Sequence, residues 1–121
     1  MFSRETIRVR PNFRIHVGDE IAIGPGKSEL LAHIGETGSI SAAARRMSMS
    51  YNRAWSLVQI MNRCFREPVV RTMRGGRERG GASLTGTGKR VLVLYQRLER
   101  EYLAASRATR TELAALLKRK A

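Results

Sequence analysis

The chain has 121 residues and 42% hydrophobic content, enough for one folded core and too little for two substantial domains. Twenty-three Lys and Arg, nineteen of them Arg, face ten Asp and Glu for a formal charge of +13, a surplus that repels itself in a compact chain and points to a polyanionic partner such as nucleic acid, anionic lipid or acidic protein. A lone cysteine, Cys64, excludes an intrachain disulfide, and the start MFSRETIRVRPNF lacks a signal-peptide core while no run of 18 apolar residues offers a membrane span, so the expected location is cytoplasmic, on the nucleoid.

Residues 6–23 alternate: Ile7 and Val9, then Phe13, Ile15 and Val17, then Ile21 and Ile23. Period-2 placement predicts short strands with one buried face. Gly18-Asp19 between FRIHV and EIAIG predicts a hairpin turn. Residues 25–63 read as three helices. The first runs from Pro25 or Ser28 to Thr37, buries Leu30, Leu31 and Ile34, and stops at Gly38. Ser41 is the expected N-cap of a short alanine-rich second helix with Ala42, Ala43, Ala44 and Met47. Met47-Ser48-Met49 makes a turn, and Ser50 caps a third helix to about Arg63. Ala54, Leu57, Val58 and Met61 recur on its inner face, extended by Trp55; Tyr51, Asn52, Arg53, Ser56, Gln59 and Asn62 fall on the other. Three helices joined by short turns are the pattern of a helix-turn-helix.

Residues 69–85 predict a hairpin: Val69–Met73, then RGGRERGG, then the return Ala82–Thr85. Its glycine- and arginine-rich tip suits a wing that touches DNA. Thr85 caps a last helix over 86–118. The positions Val91, Tyr95, Leu98, Tyr102, Ala105, Leu113 and Leu116 form a stripe at steps of three and four, interrupted at Thr109. A continuous helix of that length would be roughly 50 Å long. It overhangs so small a core, and a second copy of the chain is the expected cover.

No catalytic set emerges, and the chain is read as a non-enzyme without cofactor. His16, His33 and Cys64 show no metal-ligand spacing. Asp19 is the one aspartate, and the glycine-rich segment lacks the Lys-Ser/Thr ending of a phosphate-binding loop.

The stretch GSISAAARRMSMSYNRAW, with Gly38-Ser39-Ile40-Ser41, Ser50-Tyr51 and Ala54-Trp55, followed by Met61-Asn62, resembles the helix-turn-helix of ModE-type molybdate-responsive regulators. RGGRERGGASLTGTGKRVLVLY resembles that family's wing and the start of its dimer helix, through Gly80-Gly81-Ala82, Leu84-Thr85 and Gly88. LysR-type DNA-binding domains are a more distant likeness. The resemblance implies a mainly α fold with a small β component: a winged helix-turn-helix with an N-terminal β-hairpin and a long dimerisation helix, one domain over 1–121. Family members carry molybdate-binding modules after the dimer helix, and none is expected in these 121 residues; a separate effector-sensing partner stays open.

In a helix-turn-helix the third helix enters the major groove. Arg53 suits guanine and Asn52 suits adenine. Ser50, Tyr51 and the free N–H groups at that helix start suit phosphate, and Ser41 and Ser56 complete the expected contact set. The wing arginines Arg74, Arg77 and Arg79 are expected to clamp phosphates or enter the minor groove. Two functions remain open here: a homodimeric regulator on a palindromic operator, or an architectural protein that coats DNA by charge. An effector-dependent regulator holding molybdate on its basic surface is a third.

Overall fold

The computed structural model describes residues 7–73 and 81–118. Two strands open the described chain, β1 (Ile15–Val17) and β2 (Glu20–Ile23), paired antiparallel about Gly18, whose φ of +59° fits the tight turn. The order of the elements that follow is α1 (Pro25–Thr37), α2 (Ile40–Arg46), α3 (Tyr51–Cys64), β3 (Val70–Met73), β4 (Gly81–Leu84), α4 (Gly86–Ala105) and α5 (Arg107–Ala115).

The helix ends follow local chemistry. Pro25 occupies the first turn of α1, and Gly38 ends it in the left-handed region at φ +71°, its N–H donating to the Ile34 carbonyl at 2.8 Å. Ser39, not Ser41, caps α2: its Oγ accepts the Ala42 N–H at 3.0 Å. The expectation at Ser41 is corrected because Ser39 is already extended one residue after Gly38, which leaves Ser41 inside the first turn. Ser50 caps α3 through the Arg53 N–H at 3.1 Å, and Thr85 caps α4 through the Gly88 N–H at 2.9 Å.

One core joins these elements. Leu30, Leu31 and Ile34 of α1 meet Ile40, Ala43 and Ala44 of α2 and Ala54, Val58 and Met61 of α3, closed by Ile23, Val69, Val70, Ala82 and Tyr95. The small α2 side chains let α1 and α3 approach. β3 and β4 pair in register from Val70 with Leu84 to Met73 with Gly81, and the Ala82 N–H donates to the Gly38 carbonyl at 2.9 Å, tying this hairpin to the turn before α2. Three helices with a flanking hairpin make a winged helix-turn-helix, as expected.

Further expectations fail. Among the described residues, 7–14 form no strand, and Ile15 and Val17 of β1 are about half exposed. Phe13 instead lies against α4. Its carbonyl accepts the Tyr95 hydroxyl at 2.8 Å, and its ring meets Tyr102 edge-on at 5.3 Å. That anchor leaves β1 as an outer edge strand, while β2 supplies the core through Ala22 and Ile23. The last helix is divided at Ser106. Ser106 Oγ donates to the Tyr102 carbonyl at 2.6 Å, a back-bond that bends helices. Arg110 holds the bend, donating Nε to Ser106 Oγ at 3.0 Å and its terminal nitrogen to the Leu103 carbonyl. Trp55 also departs from expectation: it is 38% exposed rather than packed between helices.

The apolar stripe of the last helix divides accordingly. Tyr95 is buried in its own chain, and Val91, Leu98 and Tyr102 are half-buried there. Burial raises the Tyr95 phenol above its ordinary pKa, with Glu99 adding to the effect. Ala105, Leu113 and Leu116 are exposed.

Candidate nucleic-acid interface

Helix α3 buries Ala54, Val58 and Met61, which turns Asn52, Ser56, Gln59 and Arg63 away from the core. Asn52 and Ser56 are exposed and one helical turn apart. Tyr51 and Trp55 occupy one flank, their rings stacked at 6.4 Å and 15°. Arg53 occupies the other flank, toward the first turn of α1. Ser50 stands at the helix start, so five of the predicted contact residues, Ser50, Tyr51, Asn52, Arg53 and Ser56, are gathered on the first two turns of one helix. Ser41 is half-buried in α2, apart from that group.

Arg63 does not face solvent alone: its guanidinium meets Glu20 of β2 at 2.6 Å. Arg46 is similarly engaged with Glu36 at 2.6 Å, joining α2 to α1. Arg45 is exposed and has no ion-pair partner among the described residues. Asn62, placed by its spacing on the solvent side, is a structural clamp. Its Oδ1 accepts the Val69 and Val70 N–H groups at 2.8 and 3.2 Å, and Nδ2 donates to the Val70 carbonyl at 3.2 Å. The base of the β3–β4 hairpin is thereby pinned to the third helix. Arg74, Arg77 and Arg79 lie outside the described residues; Arg71 on β3 is exposed.

Three cations escaped the sequence reading as site residues: Arg14, Lys27 and Arg71. Arg14 and Lys27 line one pocket with Arg53. Burial lowers the Lys27 ammonium below its ordinary pKa against the pull of Cys64 and Glu20, with Arg53 adding a smaller push downward. Residues so far apart in the chain carry no shared periodic signal.

No protein-family model matches the chain. Over 77 residues it is 47% identical to the molybdenum-pterin-binding protein MopB of Rhodobacter capsulatus, covering 64% of this chain and 28% of that protein. It is 39% identical over 84 residues to the molybdenum transport protein ModE of Azotobacter vinelandii, covering 69% and 31%. The DNA-binding transcriptional dual regulator ModE of Escherichia coli K12 is 39% identical over 74 residues, covering 61% and 28%. The likeness is to ModE-type helix-turn-helix domains. The chain spans 28–31% of the length of these relatives.

A solved structure of the CbnR DNA-binding domain in complex with DNA superposes at a TM-score of 0.53 with 22% identity, covering 74% of this chain and 95% of that one. That likeness establishes the winged-helix fold. The start of α3 and the neighbouring strand β3 both carry exposed side chains, Tyr51 to Arg53 on the one and Arg71 to Met73 on the other. No helix of the described residues is long and apolar enough to cross a membrane.

Proposed function

We propose that the chain is a sequence-specific double-stranded DNA-binding transcription regulator acting as a homodimer. The observation that carries this reading is the outward face of α3, which holds an amide and a hydroxyl, Asn52 and Ser56, beside the cation Arg53. A protein that coats DNA by charge needs only cations there, whereas amides and hydroxyls distinguish base edges in the major groove. The relatives named as DNA-binding and transcriptional regulators support the same reading.

Selection of bound sequences from a random duplex pool, followed by competition at physiological salt, tests it. Random DNA is expected to fail to displace a selected sequence; equal competition would leave only architectural, charge-driven binding. Asn52→Ala should cost about 1–3 kcal/mol at one base position and relax the preference there. A uniform loss across all sequences would remove Asn52 from base reading.

The homodimer rests on apolar surface that the chain's own core does not cover. Leu113, Leu116 and Leu117 of the α5 region are 60%, 83% and 54% exposed. Ile15, Phe65, Leu94 and Leu98 line an apolar groove of about 310 Å³ between β1 and α4. A Leu113→Glu/Leu116→Glu double variant is expected to halve the mass seen by light scattering while the helical circular dichroism persists. A wild-type chain already at monomer mass would overturn the dimer.

A further inference from the structure

A pocket of about 210 Å³ beside the first turn of α3 is lined by Arg14, Lys27 and Arg53, with Gly26, Met49 and Leu57 among its other walls. The three cations come from three places: the approach to β1, the first turn of α1 and the first turn of α3. No carboxylate lines the pocket, and none of the three has an ion-pair partner among the described residues. The nearby carboxylate, Glu20, is taken by Arg63 at 2.6 Å. Gly24 caps α1 without a side chain, so the positive end of that helix adds to the same field. Lys27 is half-buried between the exposed Arg14 and Arg53, so burial first and the neighbouring cation to a lesser degree disfavour its charge until an anion joins the pocket.

We propose that Arg14, Lys27 and Arg53 form a phosphate site that takes one backbone phosphate of the duplex at the edge of the major groove. The proposal rests on the DNA-binding reading above. A tetrahedral anion suits the set, because guanidinium forks grip two oxygens each while an ammonium serves as a point charge. The pocket is smaller than the 300–1,000 Å³ typical of organic-ligand sites. Its place beside Asn52 fixes the register of α3: a phosphate seated there sets which base edges Asn52 and Ser56 meet. Arg53 then acts as a phosphate clamp, and direct reading falls to its neighbours.

The test uses the full chain and a labelled random-sequence duplex, with affinity measured against salt concentration. Arg14→Gln and Lys27→Gln should each weaken binding on the order of tenfold but lower the salt slope by less than about 1, because two cations still neutralise the shared phosphate. The double variant should lower the slope by no more than about 1, because both groups serve a single phosphate. Arg100→Gln, an exposed cation of α4, should change neither quantity. Lys27→Gln should leave the melting temperature undiminished, since it removes an unfavourable charge. A slope lowered by more than about 1 in the double variant would mean two separate phosphates and overturn the shared site. Unchanged single variants beside a tightly binding wild type would overturn the pocket alone, whereas a wild type that binds no duplex would overturn the DNA reading itself. Inorganic phosphate, followed by the amide shifts of Gly26 and Lys27, is expected to enter the pocket and compete with duplex. Phosphate binding there with wild-type duplex affinity in both variants would assign the site to a free oxyanion and sink the backbone role.

Discussion

Gly88→Ala should destabilise the fold by more than about 3 kcal/mol, above the usual range for one added methyl in a packed core. A Cβ at position 88 would lie 2.0 Å from the Val69 carbonyl oxygen and 2.9 Å from its carbon. Both neighbours are backbone, so no rotamer change relieves the overlap. The Val69 carbonyl also accepts the Thr85 N–H at 3.1 Å, and Thr85 in turn caps α4. Moving either strand or helix therefore costs the cap as well, worth about 1 kcal/mol. Gly86, two residues earlier, lies in the first turn of the same helix, and a methyl added there would meet nothing within 4 Å. Gly86→Ala should stabilise by about 0.5–1 kcal/mol through the entropy of the unfolded chain. Urea unfolding of the two variants measures both, and a Gly88→Ala chain no less stable than Gly86→Ala would refute the close approach at Gly88.

How far these features can be read from sequence depends on their range. Helix ends are local: Gly38 past α1, Ser50 before α3 and Thr85 before α4 each announce themselves by a residue type suited to one backbone conformation. Even there the α2 cap slipped by two residues, because Ser39 and Ser41 are chemically equal and only the extended backbone after Gly38 selects between them. The candidate contact residues Ser50 to Ser56 were legible because one helix presents them. Features made by contacts between distant segments were not. Alternation marks Ile15 and Val17 as a buried face, but the Phe13 anchor on Tyr95 and Tyr102 turns β1 into an edge. Periodicity runs the last helix through Ser106, since a serine hydroxyl back-bonding to Tyr102 leaves no mark on an apolar pattern. The Arg14, Lys27 and Arg53 pocket is the extreme case, with each cation ordinary in its own segment.

Asn62 offers the clearest link from such a long-range contact to function. Its side chain is the only described acceptor for the Val69 and Val70 N–H groups at the point where the chain leaves α3 and enters β3. Val69 and Val70 are buried, so water cannot replace a lost partner at those groups. Asn62→Ala should therefore orphan two donors, at about 1–3 kcal/mol each. Asn62→Asp keeps an acceptor for both N–H groups but sets a carboxylate oxygen against the Val70 carbonyl, where an N–H donated at 3.2 Å. It should lose at least about 1 kcal/mol and still less than the alanine. Denaturant midpoints at constant slope separate the two variants. The consequence for DNA follows from geometry: the hairpin carries Arg71 and is aimed by its pinned base. Below its own melting transition, Asn62→Ala should bind random duplex more weakly than the wild type, although the change alters no charge. If the alanine variant proves no less stable than the aspartate one, Asn62 does not clamp the hairpin. If it is less stable yet binds duplex as well as the wild type, the hairpin's pose does not matter to the interface.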